Sequence, residues 1–209
     1  IIIHMAAQSL VLKSYDYPLE TFSTNTMGTV NLLDAIRKVG TPKVVLNVTS
    51  DKCYENEEWV WGYRENDRLG GKDPYSASKA AMEIMTSSYR NSFFSLEDYG
   101  KKHNVLLAVA RAGNVIGGGD YSKNRLVPDL INGFSNNEDV IIRNSSSTRP
   151  WQHVIDPLFG YLCYLEEGLK NDTKEALNFG PIEKSKSVRE FVEIAQKTWG
   201  HKTNVKFEN

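Results

Sequence analysis

The sequence predicts an α/β fold: a doubly wound, mostly parallel sheet with a smaller α/β lobe. Short apolar runs suited to buried strands, IIIHMA, KVVLNVTS and NVLLAVARAGNV, alternate with longer segments of helical periodicity. The segments between the runs are long enough for the crossovers that parallel strands require. A third observation concerns position. MAAQS, SDK and AGNVIGGG follow the three runs, at the carboxyl ends where open α/β sheets hold ligands.

IIIHMA, residues 1–6, reads as a strand buried on both faces. Nothing polar leads into it, so the chain reads as the middle of a longer protein. Asp16, with Pro18 just inside, opens a helix whose stripe is Phe22, Val30, Leu33 and Ile36 and which Gly40 can terminate. KVVLNVTS, 43–50, is the second buried strand. Residues 51–74 form a loop rich in Glu, Trp, Tyr and Gly, and loops of that length in compact domains are usually functional. Asp73-Pro74 then starts a helix over 75–94, and NVLLAVARAGNV, 104–115, is the third strand, running into Gly117-Gly118-Gly119. Beyond it the texture changes. RLVPDLINGF is a short helix and VIIR a short strand. Asp156 with Pro157 opens a helix through Leu169, and ALNFG is another strand. Ser187 and Glu190 form a capping box for a last helix ending near Gly200.

The 209 residues carry 25 basic and 26 acidic side chains, for a net charge of −1. Lys and Arg are scattered, which leaves no electrostatic footprint for nucleic acid or an anionic membrane. No apolar run approaches the roughly 18 to 20 residues of a membrane span, and no signal peptide is visible. The two cysteines, Cys53 and Cys163, are far apart, and the four histidines (His4, His103, His153, His201) lack metal-ligand spacing. A cytoplasmic protein is expected, with no metal, nucleic-acid or membrane partner.

In DPYSASKAAMEIM, Tyr75 and Lys79 lie four residues apart, one turn apart on one helical face. A cation held near a phenol favours the phenolate and makes it usable as a general acid or base. The alternative is a surface turn with a solvated lysine. Ser50, Asp51 and Lys52 stand where the second strand stops. Successive strand residues point to opposite faces, so Asp51 and Lys52 can serve one substrate only if the backbone turns there. Burial at that point would leave a protonated acid and a neutral amine near neutral pH. The alternative is a polar strand end entering a loop. Cys53 reads as a small buried hydrophobe, not a nucleophile.

MAAQS, SDK, YSASK and RAGNVIG, in this order and spacing, resemble the nucleotide-sugar branch of the extended short-chain dehydrogenase/reductase family. The likeness continues through KCYENEEWVWGYRENDRLGGKDPYSASK, GNVIGGGDYSKNRLVPD and RPWQHVIDPLFGYL and covers essentially the whole chain. It implies a partial Rossmann-like NAD-binding domain over residues 1–116. Residues 117–209 would mainly form a sugar-nucleotide lobe, with segments returning to the first domain. The family's Gly-rich phosphate loop has no match here, which implies that roughly 75 to 80 residues, and a further C-terminal portion, lie outside this chain.

Carried over by motif, the resemblance implies NAD contacts from Met5, Ala6, Ala7, Gln8, Ser9, Thr24, Asn25, Tyr75 and Lys79. Thr24 and Asn25 would either touch NAD or buttress the preceding loop. Ser9, Ser50, Asn114, Arg125, Leu126 and Arg149 would contact the substrate, arginine suiting a diphosphate because its fork donates in pairs. Ser50, Asp51, Lys52, Tyr75 and Lys79 form the implied catalytic set. The implied activity is dehydration of CDP-glucose or a related nucleotide sugar: oxidation at C4, loss of water across C5 and C6, and hydride return to C6. Members acting on dTDP-glucose carry Glu after this Asp; here the position is Lys52, read either as the C5 base or as a cation that stabilises the enolate, with the base reading preferred. Trp59 and Trp61 would cover the substrate or pack a lid or subunit contact. The helices over 18–39 and 75–94 resemble those that join subunits and imply a homodimer or larger homo-oligomer; Met82, Met85 and Tyr89 are a candidate stripe, which burial within the monomer would explain equally well. Three alternatives stay open. A 4-epimerase would share the fold and cofactor but has no use for an acid-base couple at 51 and 52. The others are a UDP-N-acetylhexosamine 4,6-dehydratase and a non-catalytic nucleotide-sugar-binding protein.

Overall fold

In the computed structural model, which describes residues 1–170, 176–182, 184–200 and 203–208, the elements follow in chain order. They begin with β1 (Ile2–His4), α1 (Val11–Asp16), α2 (Pro18–Phe22), α3 (Gly28–Val39), β2 (Val44–Val48), α4 (Pro74–Phe93) and β3 (Leu106–Ala112). Next come β4 (Val115–Ile116), α5 (Leu126–Asn136), β5 (Val140–Ile142), β6 (Thr148–Arg149), β7 (Gln152–His153) and α6 (Ile155–Lys170). β8 (Ala176–Phe179), β9 (Lys186–Ser187), α7 (Val188–Trp199) and β10 (Val205–Phe207) complete the described chain.

Ile1–Ala112 and Leu158–Phe179 make the first of two units. Its sheet has the order β1-β2-β3-β8 and is parallel throughout. Side chains alternate across it. Val44, Leu46, Ala108 and Ala110 pack on Tyr161, Tyr164 and Leu165 of α6, whereas Val45, Val105 and Leu107 meet Leu33 and Ile36 of α3 and Phe94. A parallel sheet covered by helices on both faces is the doubly wound arrangement the apolar runs predict. The parallel register brings the carboxyl ends of β1, β2 and β3 to one edge.

The second unit comprises Gly113–Pro157 and Gly180–Asn209. β4 pairs with β7 and β5 with β10, both parallel, and β6 pairs antiparallel with β9. Leu130 and Phe134 of α5, Val140 and Ile142 of β5, and Val192 of α7 form its core. The capping box is present in full: the Ser187 hydroxyl accepts the Glu190 N–H, and the Glu190 carboxylate accepts the Ser187 N–H.

Two expectations are corrected. β1 is not buried on both faces: among the described residues it pairs only with β2, and Ile3 is 39% exposed at the sheet edge. The helix expected from Asp16 to Val39 is interrupted by a π-helical turn, Ser23–Met27. That turn admits an extra residue and rotates the face of α2 relative to that of α3. Leu33 and Ile36 therefore reach the core while Phe22 is exposed. Gly40 ends α3 as expected, at φ 68°.

Candidate active site

Tyr75 and Lys79 are both buried on α4, 8% and 4% exposed, so the solvated-lysine alternative does not hold. Asp73 caps the helix, accepting the Ser76 N–H at 2.9 Å, and Pro74 occupies the first turn where a missing N–H costs nothing. The Tyr75 N–H donates to the Ser14 hydroxyl on α1 at 3.1 Å, which seats the helix start. Burial pulls Lys79 down to about 8, against the opposing charge of Glu83 one turn further on. His4, at the end of β1, is held below its ordinary value by burial and then by the Lys79 charge, and its Nε2 lies 3.2 Å from the Thr29 hydroxyl.

The end of β2 turns as the sequence reading requires. Asp51–Cys53 form a 3-10 turn capped by Ser50. The Ser50 hydroxyl accepts the Lys52 N–H at 3.2 Å and donates to Asp51 Oδ1 at 3.0 Å. Asp51 is half-buried, but Lys52 is exposed, so the expected desolvation of the amine is absent. Cys53 is fully buried, and burial, then Glu83, push its thiol well up, which suits a packing residue.

After β1 the segment 5–9 leaves Met5, Ala6 and Ser9 exposed while Gln8 is buried. Gln8 is a clasp: its amide donates to Leu10 O and the Thr21 hydroxyl at 3.1 and 3.0 Å, and its Oε1 accepts the Leu10 N–H. Asn25, fully buried in the π-helical turn, bonds the Gln8 backbone and also donates to the Ser78 hydroxyl at 2.8 Å. Of the two roles open to Thr24 and Asn25, the geometry gives Asn25 the buttress, while Thr24 is exposed.

The other expected contacts belong to the second unit. Asn114 is half-buried and its carbonyl accepts the Gln152 N–H at 2.9 Å. Arg125 precedes α5 and pairs with Asp120 at 3.0 Å, and Leu126 packs on that unit's core. Arg149 is exposed and donates to the Thr148 carbonyl at 2.8 Å.

Sequence reasoning missed the polar cluster behind Lys79. Glu83 is buried, accepts the Thr49 hydroxyl and pairs with Arg111. A signal existed, since Glu83 continues the four-residue spacing of Tyr75 and Lys79. Among the described residues no cluster of His, Cys, Asp and Glu could hold a metal ion, and no helix is long and apolar enough to cross a membrane. His201 lies outside the described residues.

The profile of the family described as GDP-mannose 4,6 dehydratase matches residues 1–209. The chain is 53% identical over 203 residues to the CDP-glucose 4,6-dehydratase of Salmonella typhimurium, covering 96% of this chain and 56% of that protein. The chain thus spans little more than half the length of that relative, and 62% of a low-salt glycan biosynthesis protein of Haloferax volcanii to which it is 26% identical. Among solved structures, the UDP-glucuronic acid 4-epimerase from Bacillus cereus, in complex with UDP-glucuronic acid and NAD, superposes with a TM-score of 0.84 at 19% identity, over 99% of this chain and 62% of that one. An NAD-dependent NDP-hexosamine 5,6-dehydratase involved in tunicamycin biosynthesis superposes with a TM-score of 0.80 at 22% identity, over 99% and 62%. These two show the fold.

Proposed function

From the chain's membership of the GDP-mannose 4,6-dehydratase family, we propose that the protein is an NAD-dependent hydro-lyase converting CDP-glucose to CDP-4-keto-6-deoxyglucose. The observation that carries this is the turn at Asp51–Cys53, which places an acid and an amine at the carboxyl end of β2, the sheet edge that β1 also reaches. A 4-epimerase has no use for that couple, because nothing is eliminated. The 53% identity to a CDP-glucose 4,6-dehydratase supports the choice of substrate.

The residues present fit the nicotinamide side of NAD. Lys79 offers three N–H donors from a buried position, and Met5, Ala6 and Ser9 stand exposed at the end of β1. Lys79 would hold the ribose hydroxyls, and bound NAD would supply the hydride acceptor and donor for the redox steps. Tyr75 takes the C4 hydroxyl proton, the adjacent Lys79 charge favouring its phenolate. Ser50 holds the sugar O4. Once C4 is a ketone the C5 hydrogen is acidic; Lys52, exposed in the free chain, serves as its base once bound substrate covers the amine and favours its neutral form, while Asp51 protonates the departing 6-hydroxyl. Water leaves; as C6 is reduced, protonated Lys52 returns its proton to C5, and Tyr75 releases to solvent the proton that Asp51 regains, so the cycle balances with loss of one water. Asn114, Arg125, Leu126 and Arg149 would bind the nucleotide diphosphate side. The same reading takes the protein as cytoplasmic and as a homodimer or larger assembly through α2, α3 and α4; Met82 of the expected stripe is fully buried in the monomer, whereas Leu19, Ile84 and Met27 in the π-helical turn are exposed.

The test is incubation of the full-length protein with CDP-glucose and NAD. A 4-keto-6-deoxy product, seen by its alkaline absorbance and mass, is expected. A C4 epimer of unchanged mass returns the reading to the epimerase. Asp51→Asn and Lys52→Met should stop water loss while leaving the first oxidation, and only Lys52→Met should suppress solvent deuterium exchange at C5.

A further inference from the structure

Arg111, buried at the end of β3, uses its guanidinium in two directions. Nε and Nη2 donate to the two carboxylate oxygens of Glu83, each at 2.9 Å. Nη1 donates to the Tyr54 hydroxyl at 2.7 Å and to the Glu65 carbonyl at 2.8 Å. The network continues. The Tyr54 hydroxyl donates to Asn178 Oδ1 at 2.6 Å, the Asn178 amide donates to the Tyr63 carbonyl at 3.0 Å, and the Asn178 N–H meets Glu65 Oε1 at 2.9 Å. Tyr63 stacks on Tyr54 with ring centres 5.0 Å apart, and Trp59 lies 5.3 Å from Tyr63. The base of the loop is an antiparallel pairing, with Glu55 N–H to Arg68 O at 2.9 Å and Gly70 N–H to Cys53 O at 2.8 Å.

We propose that Arg111 is a positioning residue that locks the 51–74 loop, with Trp59, onto the helix carrying Tyr75 and Lys79, and so sets the affinity for the nucleotide sugar. This rests on the functional reading above. Trp59 and Trp61 are 44% and 72% exposed, large apolar surface on a loop whose limbs are nonetheless fastened. Through Tyr63, the fastened loop holds the Trp59 ring in place before substrate arrives, which reduces the ordering cost of binding. A lysine could neutralise Glu83 but lacks the planar fork that faces two ways.

Two variants of the full-length protein test this. Tyr54→Phe keeps the ring stack and removes the hydroxyl shared by Arg111 and Asn178; Arg111→Lys keeps the charge beside Glu83. With CDP-glucose, each should raise KM about tenfold, the cost of one buried hydrogen bond, while first-turnover NADH formation at saturating sugar stays within about twofold. Amide hydrogen exchange at Glu55, Gly70 and Asn178 should accelerate in both. A fall in first-turnover rate with KM unchanged, or unaltered exchange at those amides, overturns the proposal. If the wild type forms no NADH with any nucleotide sugar, the functional reading fails instead, and exchange alone decides whether Arg111 locks the loop.

Discussion

Asn25 grips the backbone of Gln8 from both sides, its Oδ1 accepting the Gln8 N–H at 2.7 Å and its Nδ2 donating to the Gln8 carbonyl at 3.0 Å. One side-chain amide thus pairs with a loop as a neighbouring strand would. Its remaining donor reaches Ser78 on α4, whose hydroxyl donates to the Tyr75 carbonyl at 2.7 Å. The loop expected to line the cofactor and the helix carrying Tyr75 are therefore fixed to each other through a residue that touches neither reacting group.

Asn25→Asp keeps the shape and removes both donors, setting a carboxylate against the Gln8 carbonyl. A stability loss of about 1 to 3 kcal/mol is expected in urea unfolding, together with weaker NAD binding in the full-length protein. Unchanged values for both would show that the clasp is dispensable.

Tyr75→Phe removes one hydroxyl and no packing. Turnover should fall by about 10² or more, the usual scale for losing a general acid-base group, with CDP-sugar binding nearly unchanged by calorimetry.

Lys79→Met should stabilise the fold near pH 7 while abolishing turnover. Lys79 is near 8 in the folded chain against an ordinary 10.5. Below pH 8 both states hold the proton and the folded state bears the full cost of the buried charge. Between about 8 and 10.5 the unfolded state binds more protons, so wild-type stability rises with pH relative to the variant. Unfolding of both proteins at pH 7 and pH 10 checks the sign: the advantage of Lys79→Met must shrink at the higher pH.

Arg111→Met leaves Glu83 charged and buried, and should cost about 3 to 5 kcal/mol. The double variant Glu83→Leu with Arg111→Met should cost less than the sum of the single changes, because the orphaned charge is gone. Additive losses in thermal melts would mean that the two side chains act independently.

Two glycines of one loop should respond differently to alanine. A Cβ at Gly71 would lie 2.4 Å from the Ala77 backbone nitrogen, which cannot move without shifting the first turn of α4. At Gly62 nothing stands within 4 Å. Gly71→Ala should lower the melting temperature and the rate of NADH formation, while Gly62→Ala stays within about 0.5 kcal/mol of the wild type.

The strands and long helices were legible because burial leaves a periodic trace: Val44 to Val48 and Leu106 to Ala112 are apolar runs, and Ser187 with Glu190 spells its own cap. The pairings β4–β7 and β6–β9 were not, since two-residue strands are too short to show a period. Within the site, Tyr75, Lys79, Asp51 and Lys52 were visible as pairs at fixed spacing. Arg111 and Asn178 were hidden because their partners, Tyr54 and Glu65, lie far away in sequence, and only the fold brings them together. The exposure of Lys52 was hidden for another reason: a strand end can turn its last residues either way.

The π-helical turn at Ser23–Met27 makes the chain locally sensitive to length as well as to composition. A turn that holds one surplus residue is a phase shifter between α2 and α3. Deleting a single residue there would let one uninterrupted α-helix form, with every backbone bond satisfied and Leu33 and Ile36 still free to seat in the core. Yet Asn25 would swing about 100° around the helix axis, away from Gln8 and Ser78. Such a deletion would leave a protein that folds around an unlatched 5–9 loop, so the spacing of this segment, and not only its composition, sets where that loop is held.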